Sequence, residues 1–266
     1  MINWFPGHMN KATKKIREIK PLDLIIEVVD ARAIESSKNN ELTTILNKPV
    51  LTIATKSDLA TKKGNDSVLI GSVNDKSFRE VIIKKLYKMF EQKINKLKEK
   101  GLFKPIFYIM VVGLPNVGKT SLINLLAKNK KLEVQNKPGV TRSCQLIKVN
   151  ENFFVYDTPG VMMKKINEEK VGFILCLLNI IRSDIIPLDE VSEWAFNFYK
   201  NNYPKQMESF FSLKDISNLS KDDFFIQVAN KYGFILKQGG VDIKRSMQFF
   251  LNTIKEGKIC KVNYEN

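Results

Sequence analysis

Three nearly unbroken apolar runs punctuate the first two thirds of the chain: 22–30 (LDLIIEVVD), 50–55 (VLTIAT) and 106–112 (IFYIMVV). Short, rich in β-branched residues and without polar alternation, they predict parallel strands buried on both faces. Weaker strand patterns occur at 68–72 and 152–157, and helical periodicity fills 11–20, 77–100 and 120–128. Strands alternating with helices predict an α/β domain, its sheet covered by helices. Beyond Arg182 the strand pattern stops. Val191, Trp194, Ala195, Phe198 and Tyr199 recur at helical spacing, as do Phe224, Phe225, Val228 and Ala229 after a capping Ser220, and Met247, Phe250, Leu251 and Ile254 before Gly257. These stripes predict the core of a small all-helical domain. The expected division is therefore 1–182 and 183–266.

Charge adds a second asymmetry. Of 43 Lys and Arg and 28 Asp and Glu, residues 1–182 hold 32 and 17, an excess of +15, while residues 183–266 hold 11 of each. Such an excess favours a polyanionic partner such as RNA, although a compositional bias toward Lys and Asn would produce the same number. In 77–100 the many lysines fit either a solvated face or an RNA-contact helix. A membrane span needs about 18 to 20 uncharged residues, and the nearest approach, 171–181, falls short, so no membrane partner is expected. The amino terminus lacks the basic end and apolar run of a secretory signal. Cys144, Cys176 and Cys260 have no metal-ligand spacing and are read as unpaired packing thiols, which with the other features places the protein in the cytoplasm.

Three short motifs carry chemistry. Gly113-Leu114-Pro115-Asn116-Val117-Gly118-Lys119-Thr120, followed by Ser121, fits a phosphate loop between a strand and a helix. Its N–H groups and the helix N-terminus would cradle phosphate oxygens, Lys119 would span the β- and γ-phosphates, and the Thr120 hydroxyl would ligate Mg²⁺. In Asp157-Thr158-Pro159-Gly160 the carboxylate at a strand end would reach the same Mg²⁺, and Gly160 would offer its N–H to the γ-phosphate. Thr141, in Pro138-Gly139-Val140-Thr141 between these motifs, is positioned as a second hydroxyl ligand. In Thr55-Lys56-Ser57-Asp58 the Asp58 carboxylate can accept from both the ring N–H and the amine of guanine, with the Lys56 stem over the base. Ser72-Val73-Asn74 follows the next strand pattern and would close over the base edge. By itself each short motif also has a plain reading, as a helix cap or an ordinary turn.

The base-reading motif precedes the phosphate loop, the reverse of the usual order, so the domain is a circularly permuted Ras-like P-loop GTPase. Together with Trp4-Phe5-Pro6-Gly7-His8-Met9, Lys11-Ala12, Val29-Asp30-Ala31-Arg32, Ser36-Ser37 and Gly239-Gly240, the chain closely resembles the permuted GTPases of ribosome assembly, and among them the ribosome biogenesis GTPase A family, also called YlqF. The resemblance implies a GTPase acting late on the large ribosomal subunit precursor, its helical tail touching ribosomal RNA; the protein is expected to be monomeric. It also implies His8 as the catalytic substitute for a missing Gln, since Val161 follows Gly160. A capping or packing His8 is the other reading. Asn116 matches the position that helps hold K⁺ in potassium-dependent relatives. Two positions depart from the family: Thr55 stands where Asn is usual, and Lys38 where Arg is expected. A non-enzymatic scaffold with bound GTP is the competing reading. Val161 favours it, and the complete set of Lys119, Thr120 and Asp157 opposes it.

Overall fold

A computed structural model describes residues 14, 16–61, 67–127, 145–163, 166–182 and 184–265. The chain divides into two compact units, one running to Ile166 and including the end from Asn263, the other spanning Asn167–Val262.

The first unit is built on a six-stranded sheet. Its strands are β1 Leu24–Asp30, β2 Val50–Thr55, β3 Val68–Ile70, β4 Phe107–Val112, β5 Gln145–Lys148 and β6 Phe153–Asp157, in spatial order β3-β2-β1-β4-β6-β5. β1 pairs in parallel with β2 and β4, β2 with β3, and β4 with β6, whereas β5 runs antiparallel to β6. All of β1 is buried, as its unbroken apolar run requires of a central strand. β5 carries no strand pattern because QLIK is only four residues long and half of them are polar. Pairing along β6 gives it a partner, and Leu146 remains 47% exposed at the edge.

Helices α1 Asn40–Leu46, α2 Ser77–Glu99 and α3 Lys119–Ala127 accompany the sheet. α1 has too few turns for a periodic signal and starts on a side-chain cap from Asn39. α2 buries Phe78, Ile82, Ile83, Leu86 and Phe90 against the sheet, with Phe90 stacked on Phe107 at 4.3 Å. Val81 and Met89 on the same helix are exposed.

From β1 the chain proceeds toward β2 and β3, and from β4 it proceeds through α3 toward β6. The neighbouring C-terminal ends of β1 and β4 thus lead in opposite directions and leave a crevice at the sheet edge. Asp30, Thr55 and Asp157 end their strands there, and Gly113 follows β4 at the same edge.

The second unit contains α4 Glu169–Leu177, α5 Leu188–Asn202, α6 Pro204–Phe211, α7 Lys221–Tyr232 and α8 Ile243–Lys255. Tyr199, Phe196, Phe211, Phe224, Phe225 and Phe250 form its aromatic centre, each at most 1% exposed. Phe196, absent from the predicted stripe, sits 4.9 Å from Phe224, while Trp194 and Phe198 are half-buried. Ser220 and Asp242 cap α7 and α8 by accepting the N–H of Asp223 and Arg245. The apolar stretch 171–181 is buried, and its helix α4 packs on α5 and α8 within this unit, which therefore starts before the predicted 182/183 division. Cys176 is one of the buried packing residues of α4, and Cys144 lies outside the described residues. No helix among the described residues is long and apolar enough to cross a membrane.

Candidate active site

The phosphate loop occupies the turn between β4 and α3. Gly118 has φ +96°, and a Cβ there would come within 3.1 Å of Thr55 Oγ1, so glycine answers both a backbone and a packing demand. Asn116 also adopts a left-handed conformation, φ +58°. Thr120 and Ser121 follow on the first turn of α3, half-buried, and Val117 is fully buried. Gly160 lies directly on this loop: a Cβ added there would sit 2.9 Å from Pro115 Cα and 3.0 Å from Lys119 Nζ. Thr158 Oγ1 donates to Val111 O at 2.6 Å, anchoring the Asp157–Gly160 turn to β4. The two phosphate-handling motifs, 37 residues or more apart in sequence, therefore share one corner.

The charges in that corner are desolvated. Lys119 is 7% exposed and its ammonium donates to Leu114 O at 2.7 Å. Burial lowers its pKa to about 8, against the opposing pull of Asp157. Burial raises the pKa of Asp157 to about 6, with Lys119 and the Thr158 N–H opposing, and its Oδ1 has no hydrogen-bond partner. Both groups are pushed toward neutrality, so each would gain from a ligand of opposite sign. Mg²⁺ fits this chemistry: an unpartnered buried carboxylate oxygen and a threonine hydroxyl, the remaining ligands coming from phosphate and water. No cluster of three acidic, His or Cys ligands exists among the described residues.

The base-reading motif reaches the same corner from β2. Thr55 is fully buried and its hydroxyl donates to Val117 O at 2.5 Å, tying the motif to the phosphate loop without the usual carboxamide. Lys56 has φ +61° and its ammonium donates to Asp30 Oδ2 at 2.9 Å and Asn116 O at 2.8 Å. Asp58 is exposed in the short turn Ser57–Leu59. Ser57 N donates to Gly71 O at 3.4 Å, which brings the Ser72-Val73-Asn74 turn alongside, with Asn74 N bound to Ser72 Oγ at 3.2 Å. His8 and Thr141 lie outside the described residues.

An ion-pair network at the end of β1 had no role in the sequence reading, although Val29-Asp30-Ala31-Arg32 contributed to the resemblance. Asp30 is completely buried and accepts two bonds from the Arg32 guanidinium, Nε to Oδ1 and Nη2 to Oδ2, each 2.9 Å, and one from Arg32 N to Oδ1 at 3.1 Å, besides the one from Lys56. Burial raises its pKa, but Lys56 and Arg32 outweigh burial and hold the carboxylate well below the usual range. Such a network adds little net stability over an apolar replacement, yet losing one member strands the others at a cost of about 3–5 kcal/mol. Its evident use is to fix where Lys56 points. The backbone of this loop is also clasped by the chain end, with Tyr264 N donating to Arg32 O and the Glu265 carboxylate accepting from Glu35 N and Ser36 N. Ser37 is buried with its hydroxyl accepting from Asp30 N, and Lys38 pairs with Glu35 at 2.7 Å.

Val161 explains its own identity. It is 3% exposed in a cluster with Ile16, Ile25, Leu42, Met110 and Val112, so this side chain anchors the turn in the core. Val161→Gln would bury an amide there. The expected outcome is destabilisation by about 1–3 kcal/mol in thermal unfolding, with no gain in hydrolysis. A faster and equally stable variant would show that the position faces the nucleotide.

A family model described as 50S ribosome-binding GTPase matches residues 108–231. Along nearly its whole length the chain is similar to a protein of Mycoplasma pneumoniae named probable ribosome biogenesis GTPase A, 38% identical over 99% of this chain and 96% of that one. Its similarity to ribosome biogenesis GTPase A of Bacillus pumilus is 31% over 99% and 98% of the two chains. Among solved structures, the GNP-bound YlqF of T. maritima superposes with a TM-score of 0.68, at 22% identity over 96% of this chain and 98% of that one, a likeness of fold.

Proposed function

The chain belongs to the ribosome biogenesis GTPase A family, and from that premise we propose that it hydrolyses GTP to time its stay on a precursor of the large ribosomal subunit. The observation that carries this reading is the convergence of Asp58, Lys119, Asp157 and Gly160 at one sheet edge, with the chain entering the helical unit seven residues after Gly160. In this reading Asp58 selects guanine, with Lys56 and the Ser72-Val73-Asn74 turn bordering the base. Thr55 holds the base-reading motif to the phosphate loop. The backbone of Asn116 to Ser121 receives the phosphates, and Lys119 offsets charge on the β- and γ-oxygens. Thr120, Asp157 and Thr141 would hold Mg²⁺, which when bound supplies further charge neutralisation to the triphosphate. Gly160 presents its N–H to the γ-phosphate, so that hydrolysis releases the turn leading toward the helical unit. Asn116 is proposed to help hold K⁺, in place of an arginine finger's charge.

Because Val161 is in the core, the group that orients the attacking water comes from elsewhere, and His8 is the proposed group. The +15 excess of residues 1–182 supports ribosomal RNA as the surface that folds His8 inward, while the charge-balanced helical part supplies shape recognition. The protein is proposed to act as a cytoplasmic monomer, with the sheet-based unit as the GTPase domain and the helical unit as the ribosome-contact domain. The test is single-turnover hydrolysis with and without saturating large subunits, in K⁺ and in Na⁺, for wild type and His8→Ala, with occupancy checked by sedimentation. Stimulation by subunits, a higher rate in K⁺, and loss of most of the stimulated rate in His8→Ala are expected. Equal stimulated rates in the two proteins would assign His8 a structural role, and absence of turnover in every condition would favour the scaffold reading.

A further inference from the structure

The residue after Gly160 is held from both sides. Val161 N donates to Gly113 O at 3.3 Å, at the start of the phosphate loop, and Val161 O accepts from the Asn39 carboxamide nitrogen at 2.9 Å, across 122 positions of sequence. Asn39 is 2% exposed, and its other groups are engaged as well. Its Oδ1 accepts from Leu42 N at 3.2 Å, capping α1, and its backbone N–H donates to Glu27 Oε1 at 2.8 Å. Glu27 is a carboxylate buried in the middle of β1, in register with Val112, the last residue before the phosphate loop. A carboxylate in the middle of a buried central strand needs a compensating partner, and the Asn39 N–H provides it.

We propose that Asn39 is a positioning residue for γ-phosphate sensing: it clamps the backbone that follows Gly160, so that the Gly160 N–H is presented to the nucleotide in one orientation, and Glu27 holds Asn39 in place. This rests on the γ-phosphate role of Gly160 given above. Neither residue touches nucleotide. A freed Val161 carbonyl would let the peptide after Gly160 turn, and the contact that distinguishes GTP from GDP would weaken while the phosphate loop, which binds both, stays intact. The loop that ends in Asn39 begins at Asp30, the partner of Lys56, so one ten-residue segment secures the base-reading lysine at one end and the γ-phosphate turn at the other.

The plain alternative is that Asn39 only caps α1. Asn39→Ser separates the two roles, because serine is as good an N-cap but too short to reach the Val161 carbonyl. Calorimetry would measure the affinities of GDP and of a non-hydrolysable GTP analogue for wild type, Asn39→Ser, Asn39→Ala and Gly160→Ala, with thermal unfolding of each. In Asn39→Ser the melting temperature and GDP affinity are expected to stay near wild type, while GTP-analogue affinity falls about tenfold, the order expected for loosening one buried hydrogen bond. Asn39→Ala should show the same loss of discrimination with added destabilisation. Wild-type discrimination in Asn39→Ser would overturn the proposal in favour of a cap, and a parallel loss of GDP and GTP-analogue affinity would overturn it in favour of general loosening. Gly160→Ala, whose Cβ would meet Pro115 and Lys119, tests the underlying reading. If it leaves the ratio of the two affinities unchanged, the γ-phosphate role of Gly160 fails and the Asn39 proposal falls with it.

Discussion

Replacing Lys119 with Met is expected to reduce GTP turnover below detection and to weaken GTP binding by about a hundredfold or more, as removal of a charge-assisted phosphate contact does. The same substitution should make the nucleotide-free protein more stable. Lys119 is 7% exposed and its ammonium donates to the Leu114 carbonyl, so the folded state carries a charge it would rather lose. Its folded-state pKa, about 8, lies below the 10.5 of a free lysine. Between those values the unfolded chain binds more protons than the folded one, and wild-type stability therefore rises with pH across that window. Below pH 8 the full penalty is present, on the order of 3 kcal/mol. Met has nearly the same length and no charge. Its stability advantage should be greatest near pH 7 and shrink as pH climbs from 8 toward 10.5. Thermal unfolding across that range, with nucleotide removed, gives the comparison. A folded Lys119→Met protein that still hydrolyses GTP would remove Lys119 from the site, and a pH-independent stability difference would mean the lysine is not buried as a cation.

Asp58→Asn is expected to change which base is bound. A carboxylate accepts from both the ring N–H and the exocyclic amine of guanine, whereas Asn offers a donor on one side. Losing a paired contact of this kind costs about 2–4 kcal/mol, or roughly 30- to 1,000-fold in GTP affinity. The Asn amide instead complements the carbonyl that xanthine carries where guanine has its amine, so xanthosine triphosphate should bind the variant better than GTP does. The fold should be unaffected, since Asp58 is exposed in a three-residue turn and Thr55, its neighbour, keeps the hydroxyl bond to Val117. Competition binding with GTP, xanthosine triphosphate and ATP separates the outcomes. An unchanged preference in Asp58→Asn would place base recognition elsewhere.

The hydroxyl of Thr55 bears on that experiment. Thr55 stands where the family usually has Asn. In the structure Thr55 is fully buried and its hydroxyl reaches the phosphate loop directly, with Gly118 close against it. The departure from the family pattern thus preserves the link between base-reading and phosphate-binding elements.

What the amino-acid sequence determined by itself is the local part of this architecture. Unbroken apolar runs placed β1, β2 and β4 within two residues, because a strand buried on both faces leaves that pattern irrespective of its neighbours. Motif order identified the permutation, and Lys119, Asp157 and Asp58 stand out in the sequence as candidates because phosphate, Mg²⁺ and guanine each require particular donors and acceptors. Tertiary structure decided the rest. β5 exists through its pairing with β6, α1 through the Asn39 cap, and the burial of Val161 through packing on Ile25 and Met110. Asn39 meets Val161, and Asp30 meets Lys56, only after the sheet has assembled. Polar groups that pair over long sequence separations leave no periodicity in the chain. Their partners are chosen by which strand ends come to lie side by side, and the desolvation that shifts Lys119 and Asp157 toward neutrality arises at that same step.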